Sequence, residues 1–208
     1  MQWCEAATRL CPVRELGDGI VEWALQHVTD GLFVDGGAHV GLFCIPVLLA
    51  RSQARCVAFE PNPMARKALQ EMAALNEVAE RLTVHRFALH DYAGKVELRI
   101  PTVAIQAGLA TMGTPKRFAK WHTHPIEAIQ LDSLDLAPQL LKLDLEGAEL
   151  YALEGATGTI MRHWPAIVTE AYAPNTAQFG YDAGEIGRFL EELGYQCRKG
   201  REDLFCTT

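Results

Sequence analysis

The sequence predicts a single doubly wound α/β domain with a mostly parallel sheet and an antiparallel edge at its C-terminus. Short, nearly continuous apolar runs, such as residues 31–35 and 166–172, are typical of strands that are buried on both faces. Segments with apolar residues at helical spacing lie between these runs, which indicates parallel strands connected by helices. The final segment, residues 195–208, predicts a hairpin at the edge.

The elements are predicted in order from their apolar spacing and from their boundary residues. Asn62 and Pro63 indicate a helix start, because asparagine caps helices and proline suits the first helical position. The predicted strands are residues 31–35, 54–60, 82–89, 94–100, 126–134, 140–145 and 166–172. The predicted helices are residues 17–28, 40–52, 64–77, 147–160 and 183–194.

The chain is expected to form one domain over residues 1–208, because it has no linker and its length suits one hydrophobic core. About residues 1–30 form a predicted N-terminal helical segment. Residues 101–124 have no clear periodicity and contain glycines, a proline and several hydroxyl residues, so they predict an irregular insert.

The composition argues against two classes of partner. A net charge of -7 disfavours general nucleic-acid binding, which needs a basic surface, and it disfavours an anionic membrane surface as well. No apolar stretch is long enough to span a bilayer, and no secretory signal is visible, so a cytoplasmic protein is expected.

The six cysteines are scattered without a CxxC pair, which favours a reduced chain. Cys44 and Cys56 lie in apolar segments and are interpreted as buried thiols. A disulfide between Cys4 and Cys11 stays open as an alternative.

The glycine-rich turn at residues 35–41 follows a predicted strand and is typical of a nucleotide-like cofactor site. Two features argue against a dinucleotide. Its fingerprint needs a second glycine where this chain has Ala38, and the negative charge of Asp35 would lie close to two phosphates. The alternative frame is Asp35, Gly37 and Gly41, in which the acid orders the turn or binds an ammonium. S-adenosylmethionine has such an ammonium and carries no phosphate.

Two further strand ends carry acids. Glu60 ends the second strand, where a carboxylate can accept the ribose hydroxyls of either NAD or S-adenosylmethionine. Asp144 and Glu146 are two residues apart, so in an extended segment both can point into the same cleft. Glu149 is interpreted as a solvated acid in the first turn of a helix, where the helix dipole favours it.

The stretches FVDGGAHVG, VAFEPNP, LKLDLEGAELYALEGA and PAIVTEAY, in this order, resemble the FkbM-type S-adenosylmethionine-dependent methyltransferases. The resemblance implies a Rossmann-like class I methyltransferase fold, S-adenosylmethionine as cofactor, and methylation at oxygen of a small-molecule hydroxyl on a sugar or natural product. His39 stands where the family pattern often has asparagine. The resemblance assigns cofactor binding to Asp35, Gly37, Ala38, His39, Gly41, Glu60, Ala88 and Asp144, and Pro61 and Glu146 are predicted to bind the cofactor beside them.

Methyl transfer to a hydroxyl needs a base that removes its proton. The candidates are Asp144, His122, His124 and Glu170, in no order of preference. No metal site is predicted, because the His122–His124 pair lacks a third ligand. Two other functions stay open: an NAD-dependent oxidoreductase of similar fold, and a non-catalytic interaction module that only binds the cofactor.

Overall fold

The structure, a computed structural model, describes residues 19–102, 109–114 and 120–208. The strands in chain order are β1 (Leu32–Gly36), β2 (Arg55–Phe59), β3 (Leu82–His85), β4 (Ala88–Leu89), β5 (Gly94–Pro101), β6 (Trp121–Ile129), β7 (Pro138–Leu143), β8 (Ala166–Glu170), β9 (Gln196–Lys199) and β10 (Asp203–Thr207). The helices are α1 (Ile20–His27), α2 (Cys44–Ala50), α3 (Pro63–Leu75), α4 (Glu149–Glu154), α5 (Thr157–His163), α6 (Ala173–Thr176) and α7 (Gly184–Glu192).

Seven strands form the central sheet in the order β3-β2-β1-β7-β8-β10-β9. The first five of these are parallel to their neighbours, and β10 runs antiparallel to both β8 and β9. The predicted fold class and its antiparallel C-terminal edge are therefore confirmed. The strand order reverses between β1 and β7, and this reversal point is where open α/β sheets bind their ligands.

Helices cover both faces of the sheet, because successive residues of a strand pack into two different clusters. Phe33 and Leu140 pack into a cluster with α1, α2 and α3. Val34 and Leu141, their chain neighbours, pack into a second cluster with α4, α5 and α7. Each fully buried side chain of this size contributes about 1.5–3 kcal/mol relative to its exposed state. The strand ends are thus held in a rigid frame.

A second sheet of three strands, β4-β6-β5, corrects the predicted arrangement of residues 82–134. Strands β5 and β6 pair antiparallel from Gly94–Ala128 to Pro101–Trp121. The predicted irregular insert is therefore wrong at Pro101 and at residues 121–124, which are in strands; residues 103–108 and 115–119 lie outside the described residues. The strand predicted at 126–134 ends at Ile129, because Leu131–Leu134 form a 3-10 helix.

The predicted helices are present, but α2 begins only at Cys44, α6 was not predicted, and one predicted helix is divided. The side chain of Asn62 accepts a hydrogen bond from the Met64 amide, and Pro63 begins α3, as predicted. The helix predicted at 147–160 is divided at Gly155, where a Cβ would lie 2.0 Å from the carbonyl oxygen of His90. None of the helices in the described ranges is long and apolar enough to cross a membrane. Residues 1–18 of the predicted N-terminal segment lie outside the described residues.

The cysteine prediction is half right. Cys44 and Cys56 are buried free thiols, as expected. Cys197 and Cys206 lie opposite each other in β9 and β10 and form a disulfide, so the expectation of a fully reduced chain is wrong. The pairing follows from strand register, which the scattered spacing of the cysteines does not reveal. Cys4 and Cys11 lie outside the described residues.

Candidate cofactor and acceptor site

A cavity of about 560 Å³ opens where β1, β2 and β7 end, at the point where the strand order reverses. This volume lies within the usual range for small-molecule sites. The polar lining comes from the ends of β2 and β7 and from the turn after β1. Much of the apolar lining comes from three places: the residues around β4, strand β5, and the residues that follow position 108. These are Phe87, Ala88, Leu89, Leu98, Leu109, Ala110 and Met112.

The turn after β1 is tightly packed against the end of β7. The amides of Gly37 and Ala38 both donate to the carbonyl oxygen of Phe59, at 3.0 and 3.1 Å, which ties the turn to β2. Gly37 has φ +73°, and a Cβ there would lie 1.8 Å from the backbone oxygen of Asp144. His39 also has positive φ, at 48°, in the left-handed region that asparagine and histidine enter most readily.

Glu60 is buried, lines the cavity and has a fixed orientation. Its Oε2 accepts from the His39 amide at 2.7 Å, and its Oε1 accepts from the Asn62 amide at 2.8 Å. Burial raises the pKa of Glu60 to about 7, against the opposing effect of these two backbone hydrogen bonds. Each carboxylate oxygen keeps a further lone pair, so the group can still accept two hydroxyl hydrogen bonds.

A buried ion-pair network lies beneath the turn. Nζ of Lys142 is 3.1 Å from Oδ1 of Asp35 and 3.6 Å from Oδ2 of Asp144. Burial raises the pKa of Asp35, and Lys142 opposes this shift. Burial alone would lower the pKa of Lys142, but Asp35 and Asp144 raise it above its ordinary value. Lys142 therefore stays charged and compensates the carboxylate that it contacts inside the protein.

Four carboxylates gather around the ends of β7 and β8. One oxygen from each of Asp144, Glu149 and Glu170 lies within 4.8 Å of the others. Nδ2 of Asn175 donates to Glu146 at 2.9 Å and to Glu170 at 2.8 Å. Glu149 is fully buried, and its Oε1 accepts from the amides of Leu145 and Gly147.

Crowding and burial shift the acid–base behaviour of this cluster. Burial raises the pKa of Glu149 to about 8 against its backbone hydrogen bonds. Burial, followed by the charges of Asp144 and Glu149, raises the pKa of Glu170 to about 9. Burial also lowers the pKa of His39, so the imidazole at the cavity favours its neutral form.

The comparisons with known proteins agree with this geometry. The family model of the methyltransferase FkbM domain matches residues 35–197, which is most of the chain. The chain belongs to the FkbM methyltransferase family. Methyl transfer is its activity class and S-adenosylmethionine its cofactor, which contradicts the NAD-dependent alternative.

Individual relatives show the same likeness. Methyltransferase sdnD of Sordaria araneosa is 26% identical over 203 residues, covering 82% of this chain and 75% of that protein. The structure of methyltransferase FkbM from Methylobacillus flagellatus KT aligns with a TM-score of 0.60 at 20% identity. It covers 87% of this chain, which spans only 44% of that longer protein. Cofactor-bound Rv0187 from MTB aligns with a TM-score of 0.56 at 14% identity, over 99% of this chain and 87% of its own.

The structure brings most of the predicted cofactor residues of this FkbM-family chain to one cavity. Eight of them line it: Gly37, Ala38, His39, Glu60, Pro61, Ala88, Asp144 and Glu146. Asp35 is fully buried behind the turn, which suits the ordering role rather than direct contact with an ammonium. Gly41 does not line the cavity; it has φ +91°, and a Cβ there would lie 2.6 Å from the side chains of Ile45 and Leu69.

The four candidate bases are separated. Asp144 lines the cavity, and Glu170 adjoins it through the carboxylate cluster. His122 and His124 lie on β6 and are not among the residues that line this cavity. His124 lines a second, polar cavity with Arg66, Arg86 and Lys95.

Sequence reasoning missed three residues of the site. Lys142 is the one charge within β7, and a lysine in an otherwise apolar parallel strand is a signal of a buried ion pair. Glu149 was expected to be a solvated helix acid and is instead fully buried, because it turns back onto the backbone of the preceding loop. Asn175, in the short helix α6 after β8, carries no sequence signal that would place it beside Glu170.

Proposed function

We propose that this protein is an S-adenosylmethionine-dependent O-methyltransferase that methylates a hydroxyl group of a small molecule. The observation that carries the proposal is the position of Asp144. Its carboxylate is half exposed, faces the cavity and adjoins the carboxylates of Glu149 and Glu170. A hydroxyl acceptor loses a proton as it is methylated, and the half-exposed carboxylate of Asp144 is placed to take it, whereas the raised pKa values of Glu149 and Glu170 keep those two groups largely protonated near pH 7.

The opposite end of the cavity suits the adenosine moiety. The two oxygens of Glu60 are held by backbone amides in an orientation that can accept the ribose hydroxyls. Phe87, Ala88 and Leu89 supply an apolar wall against which an adenine ring can pack. The turn at Gly37 leaves no room for a side chain because it packs against the backbone of Asp144, which brings the turn after β1 and the end of β7 together at the cavity.

The residues between the two ends position the reacting groups. When bound, S-adenosylmethionine supplies an activated methyl group on a sulfonium. Asp144 lies next to the turn, where it can hold the methionine ammonium, and Glu146 lines the same side. As the new O–CH₃ bond forms, the S–CH₃ bond would break and leave S-adenosylhomocysteine, and the proton of the acceptor hydroxyl would pass to an ionised carboxylate of this cluster. Most of the rate enhancement would come from orientation in a closed site.

The acceptor is proposed to be a small molecule because the cavity is compact and the protein is acidic. A net charge of -7 opposes binding to a polyanionic nucleic acid. One structural neighbour is an RNA methyltransferase from Salinibacter ruber in complex with S-adenosyl-L-homocysteine, with a TM-score of 0.50 at 10% identity over 96% of this chain and 93% of its own. That likeness supports the fold and leaves the acceptor to be tested.

The test is a methyl-transfer assay with radiolabelled S-adenosylmethionine against panels of sugars, polyketide-like alcohols, amines and RNA. We expect transfer to a hydroxyl compound, and a loss of at least about 100-fold in kcat for Asp144→Asn, as for removal of a general base. Glu71→Gln on the exposed face of α3 is the matched control. Transfer to amines or RNA alone would contradict the proposal, and cofactor binding without any transfer would favour the interaction module.

A further inference from the structure

The second cavity, of about 400 Å³, lies beside the cofactor cavity and is lined by basic residues. These come from four different parts of the chain, namely α3, the link from β3 to β4, strand β5 and strand β6. They are Arg66, Arg86, Lys95 and His124. Glu127 is the one acid among the described residues that line this cavity. The chain has a net charge of -7, so this gathering of basic side chains around a concave surface creates a local field that attracts anions.

Arg66 has a fixed position in this cavity. Its Nη1 donates to the carbonyl oxygens of Glu60 at 2.8 Å and Pro61 at 3.1 Å, so the guanidinium is held against the backbone. A guanidinium has five N–H donors, and these two bonds leave the donors of Nε and Nη2 for a ligand. Binding would therefore not have to order this long side chain, which makes the site preorganised.

Arg86 already contacts a carboxylate at this cavity. Its Nη2 lies 3.5 Å from Oε1 of Glu127, and the two side chains are 66% and 53% exposed. An ion pair as exposed as this contributes little to stability, so a ligand with a higher charge can displace the carboxylate. Lys95 is the register partner of Glu127 in β5 and β6, which puts the two side chains on the same face of the second sheet. Glu127 is thus an internal competitor of any anion that enters the cavity.

We propose that this second cavity binds a phosphate-type oxyanion, either the free ion or the phosphoryl group of a small metabolite, through Arg66, Arg86, Lys95 and His124. Arginine presents paired N–H groups that match phosphate oxygens, and lysine adds a compact positive charge. A histidine ring N–H adds a further donor. His124 therefore serves anion binding instead of proton abstraction, which agrees with its position outside the cofactor cavity.

The oxyanion site adjoins the cofactor cavity at the end that suits adenosine. Pro61 lines both cavities, and Arg66 is bonded to the backbone of Glu60. The guanidinium of Arg86 lies 5.7 Å from the ring centre of Phe87, which belongs to the apolar wall of the cofactor cavity. The carboxylates at the acceptor end are not among the described residues that line the second cavity. The oxyanion site is thus separate from the place of methyl transfer, and its existence does not rest on the proposed function.

The experiment is a calorimetric titration of the purified chain with sodium phosphate at constant pH and ionic strength. We expect one saturable site in the wild type and a roughly tenfold loss of affinity in Arg86→Gln and in Lys95→Gln, as for the loss of a hydrogen bond to a charged group. Both side chains are exposed, so the two variants should fold. Arg162→Gln removes the same charge from the exposed surface of α5 and should bind phosphate like the wild type. The absence of a saturable site, or equal affinity in all four proteins, would overturn the inference.

Replacing the acid of this cavity should have the opposite effect. Glu127→Gln removes the internal competitor, so phosphate affinity should rise roughly two- to fivefold, the range for one exposed ion pair. Glu71→Gln removes an exposed acid from α3 outside the cavity and should leave the affinity unchanged. Unchanged or weaker phosphate binding in Glu127→Gln would contradict the site.

Two other ligands identify the source of the oxyanion. Glucose 6-phosphate that binds more tightly than inorganic phosphate would assign the site to a phosphorylated metabolite, and equal affinities would assign it to the free ion. A short single-stranded RNA should bind no more tightly than glucose 6-phosphate, because the chain is acidic overall. Much tighter binding of the RNA would make this surface a nucleic-acid surface and overturn the inference.

A titration in the presence of saturating S-adenosylhomocysteine separates the two cavities. We expect phosphate to bind with unchanged affinity, because its site lies outside the cofactor cavity. Loss of phosphate binding would place the anion in the cofactor cavity and contradict the inference. If S-adenosylhomocysteine itself does not bind, the proposed function fails, whereas phosphate binding and its dependence on Arg86 and Lys95 still support the oxyanion site.

Discussion

The ammonium group of Lys142 lies 3.1 Å from the carboxylate of Asp35, and both side chains are shielded from solvent. The two residues are register partners in β1 and β7, so their side chains point to the same face of the sheet. Nζ of Lys142 also donates to the carbonyl oxygen of Gly37 at 3.1 Å. A buried ion pair therefore holds together the strand end and the turn that shape the cofactor cavity.

Replacing Lys142 by methionine should destabilise the protein by about 3–5 kcal/mol, because Asp35 would be left as an uncompensated buried charge. Chemical denaturation measures this change. The matched control is Lys67→Met, which removes an exposed pair with Glu71 and should cost less than about 1 kcal/mol. The double variant Asp35→Asn/Lys142→Met should recover part of the loss, and equal losses in the single and double variants would contradict the pairing.

Gly37→Ala and Gly180→Ala separate backbone strain from steric conflict. Both glycines have positive φ, but a Cβ at Gly37 would lie 1.8 Å from a backbone oxygen, whereas nothing lies within 4 Å of one at Gly180. We expect Gly180→Ala to cost about 1–2 kcal/mol for the left-handed conformation alone and to keep cofactor affinity. Gly37→Ala should cost more and weaken binding of S-adenosylhomocysteine in calorimetry. Similar behaviour of the two variants would rule out close packing at the turn.

The stability of the ligand-free protein should fall as the pH rises from 6 to 9. The pKa of Glu149 is raised to about 8 and that of Glu170 to about 9, so the folded state holds protons that the unfolded chain releases above about 4.5. Rising pH therefore favours unfolding in this window. Urea denaturation at several pH values measures the effect, and Glu149→Gln should flatten it. A urea midpoint that rises with pH would contradict the burial of Glu149 and Glu170.

Reduction of the Cys197–Cys206 disulfide should lower stability by about 2–3 kcal/mol, as expected for a crosslink that spans nine residues. Comparing denaturation with and without reductant measures the loss. The double variant Cys197→Ser/Cys206→Ser should reproduce it and become insensitive to reductant. Four titratable thiols per denatured, unreduced chain, or two if Cys4 and Cys11 are also paired, are consistent with this crosslink; six would disprove it.

The features that sequence predicts well are those set by local chemistry. The apolar runs identified the strands of the central sheet, and Asn62 with Pro63 identified the start of α3. The glycine turn and Glu60 were predicted to share a site, because parallel strand ends meet at one edge of a sheet. The eight cavity residues that follow from these motifs lie together in the structure.

The features that sequence did not reveal depend on how individual side chains are placed. The burial of Glu149 follows from a side chain that turns back onto its own loop, and the position of Asn175 follows from a contact across 29 residues. His122 and His124 were candidate bases on residue type alone. The pairing of β6 with β5 determines their positions, and neither residue lines the cofactor cavity. Side-chain placement of this kind depends on tertiary packing, which local periodicity does not encode.

The most direct test of the account is a calorimetric titration of S-adenosylhomocysteine into the wild type, Glu60→Gln and Glu71→Gln. Loss of a charged acceptor for the ribose hydroxyls should weaken binding about 10- to 150-fold in Glu60→Gln, and Glu71→Gln should match the wild type. Because the pKa of Glu60 is about 7, wild-type affinity should also fall between pH 8 and pH 6, as the carboxylate gains a proton. Unchanged affinity in Glu60→Gln would contradict the placement of the cofactor in this cavity.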